Sequence, residues 1–334
     1  MSGTQAWGFT DDRGTELGAA HVPLRVVAYV RAGAALLDLG VTPAGVYGSG
    51  HDGQALDPAK AGGLGAAGVP YLGPGRALDE AALRELRPDV IVDVTYDGKS
   101  PYALDEAVAE RLGVPLVALS VGNELTLPAI LGRFAALAAS LGAEPARAAS
   151  DAGPVRPDSA AEPADAGPVR PDSVAEPSVA EPARPDSVAE PAAVTPARMP
   201  SGADFARDDL AAAEAALRDV AGRSGLAVLA LSGAGPGQVH LARPQAWPEL
   251  AHLAGLGVRL IDPGPGPGAN WLTGDWAGAV GLRPGLVLFD EREHATLPYE
   301  LPSGVRLTPW NPETPPSAAA YARFFRVLAE ALAA

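Results

Sequence analysis

Short apolar runs alternate with helix-compatible stretches along most of the chain. Leu24 to Tyr29 (LRVVAY) is compact, apolar and β-branched, and it runs into the helical pattern Ala32 to Leu39. The step recurs: Ala44 to Tyr47 reads as a strand, Asp79 to Leu86 as an amphipathic helix, Val90 to Val94 as a buried strand, Pro101 to Leu112 as a helix and Leu116 to Leu119 as a strand. Such alternation predicts an α/β fold with a mostly parallel sheet. A second series follows the middle of the chain. It has strands at Ala227 to Leu231, Val239 to Leu241, Val258 to Ile261 and Leu286 to Phe289, with helices at Pro248 to Leu253 and Pro316 to Leu332.

The two series share local pieces. Leu39-Gly40-Val41 has a counterpart in Leu256-Gly257-Val258, and Arg87-Pro88 with the strand after it has one in Arg283-Pro284 and its strand. Either chance or a common two-lobe plan accounts for them. Between the series, Asp151 to Arg198 consists of decaying copies of one unit, DAGPVRPDSAAEP, DAGPVRPDSVAEP, SVAEP and RPDSVAEP. Regular proline among small and acidic residues buries no core, so this stretch is expected to be a disordered insert. The helical patterns Leu127 to Leu141 and Asp204 to Arg223 flank it, which places it inside a helical connection.

Composition narrows the partners. The chain has 334 residues, enough for two cores, and its formal charge of −15 with no basic cluster argues against nucleic acid. With no cysteine, disulfides, thiolate metal sites and lipid attachment to Cys all drop out. The segment Met1 to Arg13 has no basic stretch followed by an apolar one, and no window reaches the roughly 18 apolar residues of a membrane span. As written, the chain is therefore expected to be cytoplasmic with no membrane insertion, and to be extracellular or membrane-associated if the true start lies upstream.

Candidate chemistry is sparse. Gly48, Gly50 and Gly53 spell GxGxxG after a short strand, but Gln54 to Pro58 makes a poor helix start, and the dinucleotide fingerprint needs one. The five histidines show no metal-ligand spacing, and no serine sits in a GxSxG elbow, so neither a metal site nor catalytic residues are expected. Aromatic and polar residues do gather where strands run into loops: Tyr29, Arg31, Tyr47, Tyr96 and Asp97 in the first series, and Trp271, Trp276 and Trp310 in the second. Each one reads equally well as a half-buried core or hinge residue. Together they favour a ligand cleft at the carboxyl ends of the strands. Glu124 is read as opening a helix.

Several segments resemble the Fe/B12 type of periplasmic binding protein, the iron-siderophore binders of actinobacteria in particular. They are Phe9 to Gly14 with Pro23 to Tyr29, Leu39 to Val46, Leu83 to Val92, Trp247 to Pro263, Trp271, Trp276, Leu282 to Asp290 and Pro309 to Glu313. The resemblance implies two Rossmann-like lobes joined by a long helix, with a large ligand in the cleft between them. The corresponding division is an N-terminal segment 1–23, an N-lobe 24–123, a first connector region 124–150, the insert 151–200, a connector helix 201–225 and a C-lobe 226–334.

On that pattern Tyr29, Arg31, Tyr47 and Tyr96 line one wall and Trp271, Trp276 and Trp310 the other, with Trp7 and Trp247 away from the ligand. The implied ligand is a ferric siderophore, haem or cobalamin, held without a resident cofactor and delivered to an ABC permease. Arg31 would suit anionic chelates. The sequence departs from the family in carrying neither signal peptide nor lipobox cysteine, in placing Ala34 where a permease-docking glutamate often stands, and in a shorter stretch between Asp290 and Pro309. The alternatives are a leaderless cytoplasmic binding or sensing module and, last, an enzyme on a doubly wound fold.

Overall fold

The chain enters through an antiparallel hairpin, β1 (Trp7–Thr10) and β2 (Glu16–Ala19), inside the N-terminal segment 1–23, to which the sequence reading assigned no strand. The computed structural model describes residues 6–143, 202–297 and 301–334; the repeat insert at 151–200 lies outside the described residues. Asp11 closes the hairpin by accepting from the Arg13 and Thr15 amides, both at 3.0 Å. The Arg13 guanidinium then reaches Glu106 at 2.6 Å and the Leu116 carbonyl at 2.8 Å, which ties the hairpin to the first sheet.

That sheet has five parallel strands: β3 (Val26–Tyr29), β4 (Gly45–Gly48), β5 (Tyr71–Pro74), β6 (Val90–Thr95) and β7 (Leu116–Ser120). Their order in space is β5-β4-β3-β6-β7. Order reverses between β3 and β6, the switch point where open α/β sheets leave a crevice at their carboxyl ends. Every residue of β3, β6 and β7 is buried, as expected of strands covered on both faces.

The covering helices are α1 (Val30–Asp38), α2 (Pro58–Ala61), α3 (Glu80–Glu85), α4 (Glu106–Leu112) and α5 (Leu127–Ser140). Side-chain caps set several starts. Asp57, Asp79 and Asp105 each accept from the amide two residues on, satisfying an otherwise orphaned donor. Because Asp105 caps there, α4 begins at Glu106 instead of Pro101. Glu124 likewise lies in a turn ahead of α5, whose first residue is Leu127 and whose N-cap is Thr126.

After the insert, α6 (Gly202–Ser224) leads into a mixed sheet made of β8 (Ala227–Gly233), β9 (Val239–Ala242), β10 (Arg259–Leu260), β11 (Trp271–Gly274), β12 (Leu286–Asp290) and β13 (Arg306–Trp310). The order is β11-β9-β8-β12-β13, with β10 added to β8. Strands β8, β10, β12 and β13 run parallel, while β9 and β11 form an antiparallel flap. Helices α7 (Pro248–Gly255), α8 (Trp276–Gly281) and α9 (Ala318–Ala333) complete this half, and α6 packs along α9.

The shared pieces seen in the sequence have matching backbone geometry. Gly40 and Gly257 take φ of 90° and 94°, and Arg87 and Arg283, each preceding a proline, take 48° and 53°. Left-handed φ is costly for an arginine, so its occurrence at both equivalent sites marks one helix-to-strand turn used twice. Helix α5 belongs to both cores: Ile130, Phe134 and Leu137 pack under the first sheet, while Leu127 and Leu131 pack into the second. A helix anchored on both sides in this way is a stiff link, and a buried side chain such as Phe134 contributes about 1.5–3 kcal/mol to holding it.

Candidate functional site

The carboxyl ends of the two sheets meet across a buried polar junction. From the first sheet come Tyr29 at the end of β3, Arg31 in α1, Lys60 in α2, and Tyr96 and Tyr102 beyond β6. From the second come Asp290 and Arg292 after β12, and Glu313 after β13. The Tyr29 hydroxyl donates to Glu313 Oε2, and Lys60 Nζ lies 3.0 Å from the same oxygen and 2.6 Å from Asp52. Arg292 forks onto Asp290, at 2.7 Å for Nη2 to Oδ2, and reaches Glu313 Oε1 at 2.8 Å. Asn311 donates to the Ala59 carbonyl at 2.6 Å, and the Glu293 amide donates to Asp57 at 3.1 Å. Burial alone would raise the Glu313 carboxyl. Lys60 and Arg292 outweigh it and bring the group down to about 2.

Arg31 sits deeper and is only 3% exposed. Its Nη1 donates to the Tyr96 hydroxyl at 3.1 Å and its Nε to the Thr314 carbonyl at 3.2 Å. The acid facing it is Glu249, at the start of α7, whose Oε1 is buried without a hydrogen-bond partner. Burial lifts Glu249 to about 7, against the pull of Arg31. In the first sheet Asp93 is fully buried and accepts from the Tyr47 hydroxyl at 3.2 Å and from the Leu104 amide at 2.9 Å; burial still raises it to about 6.

Beside this junction, at the carboxyl ends of β8 and β12 and under the β9–β11 flap, is an open cavity of about 700 Å³. Its lining includes Ser232, His240, Asn270, Trp271, Arg292 and His294. All of its lining comes from residues 232–294. His240 Nδ1 is 2.9 Å from Thr273 Oγ1, which fixes that ring against the flap. The rim loop is held by Arg243, which donates to the carbonyls of Gly264 at 2.6 Å, Gly266 at 2.9 Å and Gly268 at 3.2 Å. Trp271 is half-buried and packs edge-on against Trp247, with ring centroids 5.0 Å apart, and lies 5.9 Å from Trp310.

Of the residues singled out in the sequence, Trp271 lines the cavity. Tyr29, Arg31, Tyr47 and Trp310 are buried in the junction or the cores beneath it, where the two tyrosine hydroxyls and the guanidinium are already committed. Tyr96 is half-buried beside them. Asp97 is exposed and organises the loop after β6, accepting from the Lys99 and Ser100 amides, both at 2.9 Å. Trp276 belongs to a separate core under α8 with Leu229, Leu231 and Val287. Trp247, set apart from any ligand by the sequence reading, backs Trp271 directly. His240 and His294 share the cavity although they are far apart in sequence. No group of three metal-ligating side chains occurs among the described residues.

No family model matches the sequence, and a search of curated proteins finds no relative. Solved structures do match. DesE, a ferric-siderophore receptor protein from Streptomyces coelicolor, is similar over 98% of both chains at 23% identity, with a TM-score of 0.70. The haem-binding protein HmuT is similar over 99% of this chain and 91% of its own at 12% identity, TM-score 0.56. A siderophore periplasmic binding protein from the fuscachelin gene cluster of Thermobifida fusca is similar over 93% and 96% at 13% identity, TM-score 0.51. The chain therefore has the fold of the siderophore- and haem-binding periplasmic proteins. Those neighbours are a receptor and binding proteins.

Proposed function

We propose that this protein binds an iron-siderophore or similar large chelate in the cavity under the β9–β11 flap, as the substrate-binding component of an ABC importer. The cavity carries the reading: it lies at the carboxyl ends of parallel strands, has the size of a ligand site, and presents an indole beside a few polar groups. The shared fold supports the ligand class, since its solved members include a ferric-siderophore receptor and a haem-binding protein. Delivery to a permease rests on the family resemblance alone.

Tryptophan fluorescence tests the binding. An absorbing ferric centre or porphyrin next to Trp271 drains the Trp271–Trp247–Trp310 cluster, so titration with ferric hydroxamates, ferric catecholates, haem and cobalamin is expected to give saturable quenching with one of them. Trp276, in its separate core, is expected to report less. Linear, unsaturable quenching by all four classes would sink the proposal.

A further inference from the structure

One acid lies buried where the two halves meet with part of its carboxylate unpartnered. Glu249, at the start of α7, is 2% exposed, and its Oε1 has no hydrogen-bond partner. Facing it from the other half is Arg31 of α1, 3% exposed. That guanidinium keeps its charge but is drawn to the Tyr96 hydroxyl and the Thr314 carbonyl, at 3.1 and 3.2 Å. Arg292, the next cation, is engaged by Asp290 and Glu313. Tyr321 of α9 faces both Glu249 and Arg31. The Trp310 indole at the end of β13 faces Glu249 as well, yet its Nε1 is also buried without a partner. On α7 itself, His252 turns to Glu214 of α6 at 2.8 Å.

A buried carboxylate is costly to keep ionised unless cations and hydrogen bonds surround it, and an oxygen without a partner removes part of that compensation. Burial is the larger effect here: it lifts Glu249 to about 7, against the pull of Arg31 and Arg292. Water that reaches the site hydrates the carboxylate and returns it to its ordinary range, so a closed joint binds a proton that an opened joint releases. We propose that Glu249 is a proton-operated latch between the two halves: with its proton on it lets α1 and α7 close over it, and loss of the proton favours their parting far enough to admit water. The sign follows from the linkage. The closed joint has its full stability below the ordinary carboxylate range, loses it as pH rises toward neutrality, and levels off above that. Asp93, buried in the first sheet and raised to about 6, is a competing source of such a dependence.

Hydrogen exchange of the full chain, with the intrinsic pH dependence of each amide divided out, tests the latch without any chelate. Amides of α1 and α7 are expected to exchange through a local opening, faster than those of β6, whose residues are all buried. Their protection is expected to fall about tenfold per pH unit between about pH 5 and 7, the slope for release of one proton, and to stay level above that. Glu249→Gln keeps the shape of the protonated acid and is neutral at every pH, so it is expected to remove the slope from α1 and α7. Asp93→Asn is expected to leave that slope in place. Three results overturn the latch: a parent chain whose α1 and α7 protection does not change over this range, the same slope in Glu249→Gln, or α1 and α7 amides that exchange only together with β6. Chelate binding has no part in the experiment, so none of these results touches the proposed function.

Discussion

Tyr29 and Glu313 stand 284 positions apart, and the hydroxyl of one donates to the carboxylate of the other inside the protein. Glu313 also holds Lys60 and Arg292, so one side chain bridges two cations from opposite sheets. Glu313→Ala takes one of two carboxylate partners from each, leaving Lys60 on Asp52 and Arg292 on Asp290, and leaves the buried Tyr29 hydroxyl without its acceptor. It is expected to cost about 1–3 kcal/mol of unfolding free energy, the penalty of a buried polar group left unsatisfied. Tyr29→Phe removes a single hydrogen bond and is expected to cost about 1.5–3 kcal/mol, since its acceptor is charged. Urea unfolding measures both; a Glu313→Ala protein as stable as the parent would show that the junction is not held this way.

Acidity is expected to act on this fold in two directions. Burial raises Glu249 to about 7 and Asp93 to about 6, so between the ordinary carboxylate range and those values the folded chain keeps protons that the unfolded chain releases. Stability therefore falls as pH rises through that window. Glu313, held down at about 2, contributes stability above the ordinary range that is lost as pH drops toward its folded value. The melting temperature is expected to peak at about pH 4, in the ordinary carboxylate range where the two effects meet. Glu249→Gln is expected to flatten the alkaline side of that curve, and an unchanged slope between neutral and mildly acidic pH would refute the role given to Glu249.

Binding and scaffolding separate cleanly at two aromatics. Trp271→Ala is expected to weaken chelate binding by about 1–3 kcal/mol, as truncation of a contact anchor does. Tyr29→Phe, whose ring stays packed in the junction, is expected to leave affinity unchanged. Quench-independent calorimetry on both variants decides it, and the reverse ranking would move the site from the cavity to the junction.

Gly233 ends β8 where the following backbone passes close. A methyl group added there would sit 1.7 Å from the Thr296 carbonyl oxygen, a clash with main chain that no rotamer relieves. Gly233→Ala is expected to push away the loop that carries Arg292 and His294, lowering stability by about 1–3 kcal/mol and weakening the chelate at the same time. Unaltered affinity would mean that this loop forms no working part of the cavity.

Elements whose own residues carry the period were legible in the sequence. Val26 to Tyr29, Val90 to Thr95 and Leu116 to Ser120 are uniformly apolar or β-rich strands, and α9 shows its apolar stripe plainly. The hairpin strands WGFT and ELGA were not, because they are short and broken by glycine, and β13 was hidden by Pro309 within it. Strand β11 follows a Gly-Pro run that reads as loop, yet it pairs with β9 and carries Trp271 to the cavity. The junction was less legible still. Lys60, Glu249, Arg292 and Glu313 acquire meaning only through partners far away in sequence, and a charged residue in a polar loop gives no local sign that it is buried. His240 and His294 were set aside on spacing, which says nothing of side chains that the sheet topology brings to one rim.

That all of the cavity lining lies within residues 232–294 bears on how cargo is exchanged. On the proposed function, a lining drawn from one half of the molecule means that capture is expected without clamping by the other half, at a speed set by encounter and desolvation. Retention is then intrinsic to the pocket, and the rim loop tethered by Arg243 to three glycine carbonyls is the piece whose loosening would hasten release. On the same reading, unloading is expected to be a local event at one lip of the protein, without the two halves parting.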